Sequence, residues 1–206
     1  MGSPLLKAVS EPARPEAVVL ALHGGASRPD RPDVHPAQLS VLRMVPLARR
    51  IARAGRGRLA VYRLLNSSRG WDTSHTPVDD VRWALARLRE TYGDLPVGLV
   101  GHSLGGRAAL LAGAEPEVRC VVALNPWVYP DDPRGPVDVA ELPVLIVHGT
   151  ADRIADPARA RIVASTLARS AAVDFREVVG GKHAMLRQSG EFERPAAAYL
   201  VSHLLD

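Results

Sequence analysis

Val97-Gly98-Leu99-Val100-Gly101-His102-Ser103-Leu104-Gly105-Gly106 drives an apolar strand into a Gly-x-Ser-x-Gly turn, and Arg107-Ala108-Ala109-Leu110-Leu111-Ala112 continues it as a strong helix former. A serine caught between strand and helix must take a tight, strained backbone conformation that projects its hydroxyl out of the sheet. Gly101 and Gly105, two residues to either side, let strand and helix approach without a Cβ clash. The pattern predicts an exposed nucleophile, Ser103, held on two rigid elements. A five-residue pattern is weak alone, so its weight depends on what accompanies it.

A serine hydroxyl needs an imidazole to take its proton, an acid to orient that imidazole, and amide donors for the developing oxyanion. Downstream, Leu142-Pro143-Val144-Leu145-Ile146-Val147-His148-Gly149-Thr150-Ala151-Asp152 reads as a buried strand whose terminal turn presents Asp152. The alternatives for the acid are Asp156 and Asp131. Asp156 precedes Pro157 and a helical run, which suits a helix N-cap better. Further on, Val173-Asp174-Phe175-Arg176-Glu177-Val178-Val179 alternates as a strand and enters Gly180-Gly181-Lys182-His183. His183 is the candidate base. His148 is better explained by the turn that places Asp152, and His203 falls in a terminal helix running from Phe192 to Leu205. His23 and His102 are expected to be structural neighbours rather than proton carriers.

Upstream, Ala17-Val18-Val19-Leu20-Ala21-Leu22 is a continuous apolar strand ending in His23-Gly24-Gly25-Ala26. Backbone N–H groups of Gly25 (or Ala26) and of Leu104 are the candidate oxyanion donors. With these four motifs in the order Ser, Asp, His behind a glycine turn, the chain resembles small serine-type α/β-hydrolases, close to bacterial dienelactone-hydrolase-like and esterase-like members. The resemblance runs roughly from Val18 to Leu205. It implies an α/β fold, the α/β-hydrolase fold: a mostly parallel sheet of about six strands with helices on both faces and no cap domain. There is room for part of an additional edge hairpin around Leu5–Val9. Dienelactone hydrolases proper carry a cysteine nucleophile where Ser103 stands here, so the implied chemistry is hydrolysis of a small carboxylic ester or thioester through an acyl-serine. The same triad would also serve acyl transfer, cyclisation or peptide cleavage, and the non-enzymatic alternative is a retired hydrolase acting as a binding protein. No cofactor is implied.

Length and composition fit this reading. The 206 residues suit a single domain, 1–206, with 47% hydrophobic residues but only 4% aromatic, so Ala, Val and Leu do the packing. The formal charge of +4 is carried by 24 arginines and two lysines scattered over every segment. The densest group, Arg49, Arg50 and Arg53 with Arg56 and Arg58, reads as the solvated face and end of a helix, without an aromatic stacking platform, so no nucleic-acid partner is expected. No run of 18 apolar residues predicts a membrane span, and no leader is recognisable near Met1, so a cytoplasmic protein is expected. The lone Cys120 reads as a buried strand residue, and the seven histidines show no metal-ligand spacing.

Strand-like and helix-like segments alternate, which implies parallel crossovers. Strands are expected at Val18–Leu22, Leu59–Leu65, Val97–Val100, Arg119–Leu124, Val144–Val147 and Val173–Val179. Helices are expected within 38–54, 104–114, 157–171 and 191–205, with Pro46 kinking or restarting the first. The clearest helix is Pro77–Thr91, with Thr76 as its cap and Asp79 and Asp80 complementing its dipole. Caps in such hydrolases usually follow the strand ending here at Leu124. The connector Asn125 to Leu142 holds Pro126, Pro130, Pro133 and Pro136 and is too short for one, which predicts an open, shallow site suited to short-chain substrates. Two loops, 66–75 and 125–129, should line it. Trp71, Trp127 and Met185 are candidates for apolar walls, and Arg69 or His75 for binding a substrate anion.

Overall fold

A computed structural model describes residues 2–25, 34–68, 70, 75–132 and 142–205. Trp71, Arg69 and the alternative oxyanion donor Ala26 lie outside the described residues. Seven strands form one sheet in the order β1-β3-β2-β4-β5-β6-β7. They are β1 (Leu5–Ser10), β2 (Ala17–Leu22), β3 (Leu59–Leu65), β4 (Val97–His102), β5 (Val118–Leu124), β6 (Pro143–Gly149) and β7 (Ala172–Val178). β1 runs antiparallel to β3 and every other pairing is parallel. The six parallel strands fall where the apolar runs predict them, and β1 is the additional edge strand.

β2 and β4 are buried along their whole length, as central parallel strands covered on both faces must be. Their alternate residues feed two cores. Val18, Leu20 and Leu22 join α3 (Thr76–Tyr92), α4 (Leu104–Leu111) and part of α5 (Pro157–Leu167) on one face. Ala17, Val19 and Ala21 join α2 (Met44–Ala54) and α6 (Ser189–Leu205) on the other. A short α1 (Leu39–Leu42) precedes α2, and the break at Arg43 puts Pro46 in the first turn of α2, where its missing N–H costs no hydrogen bond. The chain thus restarts the helix, as Pro46 predicts. Two arginines of this region are tied down: Arg50 pairs with Glu193 at 2.9 Å and Arg58 with Glu16 at 2.6 Å.

The start of α3 differs from expectation. Thr76 is already helical, and His75 occupies the cap position in the left-handed region at φ 56°. Asp80 does more than complement a dipole. It is buried and accepts hydrogen bonds from the Ser67 N–H (2.8 Å) and hydroxyl (3.0 Å), clamping the loop that leaves β3 onto α3. Burial raises its carboxyl above the ordinary range, against the pull of Ser67. Cys120 is free and buried within β5. Among the described residues no helix is long and apolar enough to cross a membrane.

β2 pairs with β3 on one side and β4 on the other, so the connections leave their carboxyl ends in opposite directions. Open α/β sheets bind ligands in the crevice this creates. His23 follows one of the two strands and Ser103 follows the other.

Candidate active site

Ser103 joins β4 to α4 with φ 57° and ψ −120°, a conformation L residues other than glycine rarely adopt. The turn is possible because its flanking glycines are in backbone contact. A Cβ on Gly101 would lie 2.1 Å from the Gly105 carbonyl oxygen, and one on Gly105 would lie 2.4 Å from the Leu22 oxygen. The strain is held by neighbours on both sides: Ser103 N–H donates to Leu124 O at 3.0 Å, and Ser103 O accepts from the N–H groups of Arg107 and Trp127, each at 3.1 Å.

The three distant residues singled out by pattern meet here. His183 Nδ1 lies 2.8 Å from Asp152 Oδ2, and His183 Nε2 lies 3.0 Å from Ser103 Oγ. An ionised carboxylate only accepts, so Nδ1 carries the proton and Nε2 accepts from the serine hydroxyl. Asp152 is fixed through its other oxygen, which takes the N–H groups of Ile154 (2.8 Å) and Ala155 (3.0 Å). Burial pushes the Asp152 carboxyl up, but the His183 bond and the two amides outweigh it, and the net shift is downward. Asp152 therefore stays ionised through the neutral range.

The competing residues go elsewhere. Asp156 caps α5, accepting from Ala158 N–H. His148 is buried and donates from Nε2 to Ala155 O at 3.2 Å, closing the turn around Asp152. His203 is exposed on α6 against Tyr199. His23 donates from Nδ1 to Gly24 O (2.6 Å) and accepts Asn66 N–H at Nε2 (3.1 Å), which holds it neutral. Burial lowers the pKa of both His23 and His148.

Leu104 is the first residue of α4, so its N–H has no intrahelical acceptor and lies beside the nucleophile. Gly24 packs on Ser103, with a Cβ at that position meeting Ser103 Cβ at 3.2 Å, which brings the Gly25 amide into the same neighbourhood.

Three expectations need correction. Ser103 is only 3% exposed, not an open nucleophile, because the His183 ring and the Trp127 segment crowd it. Met185 is not a pocket wall. A positive φ of 57° and its N–H bond to Lys182 O roll the chain over after His183, and its side chain joins the α2/α6 core. Asn125, expected in a lining loop, is fully buried with all its amide bonds turned inward. Trp127 is half-buried and packs against the α3/α4 core, and His75 is exposed at the α3 cap. A cavity of about 210 Å³ bordered by Leu110, Val128, Val163 and Leu167 includes none of the triad.

The model of the alpha/beta hydrolase fold matches residues 65–158. The structure of XC6422 from Xanthomonas campestris, described as an α/β serine hydrolase without a lid, is similar over 98% of this chain and 89% of its own, at 18% identity and TM-score 0.70. Est1E from Butyrivibrio proteoclasticus is similar over 98% and 94% at 12% identity and TM-score 0.71. The Paleococcus ferrophilus monoacylglycerol lipase is similar over 98% and 99% at 19% identity and TM-score 0.66. Sheet order, strained serine turn and these likenesses define the class: the chain has the α/β-hydrolase fold. It is a small form of that fold, with eighteen residues between Leu124 and Pro143 and no cap domain among the described residues.

Proposed function

We propose that the chain is a serine hydrolase that cleaves a small carboxylic ester or thioester. Ser103 Oγ attacks the acyl carbonyl while its proton passes to His183 Nε2. The Gly25 and Leu104 N–H groups hold the oxyanion. Collapse of the tetrahedral adduct breaks the ester bond, and the alcohol or thiol leaves with the proton from His183. Water then attacks the acyl-serine, His183 takes its proton, and Ser103 is regenerated as the acid departs. Asp152 holds the imidazole tautomer and stabilises the imidazolium. The observation that carries this reading is the unbroken Ser103–His183–Asp152 hydrogen-bond chain at 3.0 and 2.8 Å. Support also comes from the likeness to XC6422, a serine hydrolase, and to Est1E, which has been seen with ferulic acid bound. The eighteen-residue connector favours short or partly exposed acyl groups over long chains.

The test is a burst of p-nitrophenol from p-nitrophenyl acetate together with stoichiometric labelling by a fluorophosphonate probe. Ser103→Ala should abolish both. Unchanged turnover in that variant would remove the reading.

A further inference from the structure

The carbonyl oxygen of His183 sits at a crossing of hydrogen bonds. Asn125 Nδ2 donates to it at 3.2 Å and to the Lys182 carbonyl at 3.2 Å, and His102 Nε2 donates to it at 2.8 Å. The other end of the Asn125 amide, Oδ1, accepts the Gly149 N–H at 2.8 Å. Gly149 begins the turn that presents Asp152, and Lys182–His183 end the loop that presents the imidazole. One planar amide therefore spans the acid loop and the base loop from the end of β5, the strand next to the nucleophile's own. Asn125 is 0% exposed and held at φ 42°, a conformation that asparagine tolerates better than most residues. Its own N–H donates to Val147 O at 2.9 Å, so the residue is anchored to β6 as well.

Resting on the serine-hydrolase reading, we infer that Asn125 is a positioning residue for the base: its amide sets where the His183 backbone stands relative to Ser103. It touches no reacting atom. Its part is to keep Nε2 within hydrogen-bond reach of Oγ while the imidazole gains and loses a proton. Both amide donors are needed, because a carboxylate at this position would face two carbonyl oxygens at 3.2 Å and repel them. A protonated carboxyl would restore one donor.

The experiment compares Asn125→Ala and Asn125→Asp with the parent chain. It reads melting temperature, the second-order rate of fluorophosphonate labelling from pH 5 to 8, and the low-field proton resonance of the His183–Asp152 hydrogen bond. Displacing a base by about 1 Å costs on the order of 10²-fold, so both variants should label about 100-fold more slowly at pH 8 while still folded, with the low-field resonance kept, because the acid and base loops are also bonded to each other directly. Relative to the parent at the same pH, Asn125→Asp should recover part of the rate as pH falls, and Asn125→Ala should not. Labelling of both variants at the parent rate, or a loss that merely tracks the unfolded fraction, overturns the inference. If the parent chain does not label, or Ser103→Ala labels equally well, the hydrolase reading fails instead.

Discussion

His102 should make the fold sensitive to acid, by an amount that follows from its surroundings. The ring is 1% exposed, and its Nδ1 meets no hydrogen-bond partner among the described residues. Burial first, and then the neighbouring His183, push its pKa down to about 3 from an ordinary 6.5. In the unfolded chain the same imidazole takes up its proton below pH 6.5, whereas in the folded chain it stays neutral down to about pH 3. Unfolding therefore binds one extra proton across that window, and stability falls with falling pH by about 1.4 kcal/mol per unit. From this residue alone the loss between pH 7 and pH 5 is about 2 kcal/mol, a large share of the roughly 5–15 kcal/mol that holds a domain together. Neutrality also serves the site. The two ring centroids are 4.8 Å apart, and a charge on His102 would oppose the charge that His183 would acquire in the proposed reaction. Urea unfolding at pH 7 and pH 5 measures the effect in the parent chain and in His102→Gln, whose amide can still donate to the His183 carbonyl but cannot titrate. The variant should lose about 2 kcal/mol less than the parent on going to pH 5. Equal losses in the two proteins would refute the reasoning, as would an NMR titration placing His102 near 6.5.

Two further substitutions test separate parts of the site. Asp152→Asn removes the acceptor that fixes the His183 tautomer and should lower kcat on p-nitrophenyl acetate by about 10⁴-fold with the circular dichroism spectrum unchanged; a loss under tenfold would show that the acid lies elsewhere. Gly101→Ala puts a methyl group 2.1 Å from a backbone oxygen that no rotamer change can move, so it should destabilise the fold by about 3 kcal/mol and suppress labelling of Ser103, both read from melting curves and probe incorporation.

The meeting of Ser103, Asp152 and His183 was legible in the sequence for a simple reason. Each of them lies a few residues past the carboxyl end of an apolar run, and parallel strands bring all such ends to one edge. Ser103 follows β4 directly, Asp152 trails β6 by three residues and His183 trails β7 by five. What was not legible depends on which way individual side chains turn. Asn125 joins residues 24, 57 and 58 positions away, and no local period records such bonds. Its one sequence signal is its type, an asparagine at a strand end, where a left-handed turn is easily made. Asp80 carries the pattern of an N-terminal helix acid, and only the path of the loop after β3 turns it inward to Ser67. Met185 is a candidate pocket wall by its sequence, yet a positive φ at this residue accompanies a side chain buried in the α2/α6 core.

The geometry divides the site into two bodies rather than three residues. The acid and base loops are already one unit: Thr150 N–H bonds Val178 O at 3.0 Å, Ala151 N–H bonds Gly181 O at 3.0 Å, and Gly180 N–H bonds the Thr150 hydroxyl at 2.9 Å. Gly149 and Gly181 lie so close that a Cβ on the first would stand 2.3 Å from the carbonyl oxygen of the second. The serine turn is the other body, locked by Gly101 against Gly105. The Asp152–His183 distance is set within the first body and should resist disturbance. The Ser103–His183 distance crosses between them, and apart from that bond itself the joint is closed by the side chains of His102 and Asn125. Loss of either should therefore lengthen the serine–imidazole bond before the imidazole–carboxylate bond, so that proton removal from Ser103 fails while the tautomer is still held.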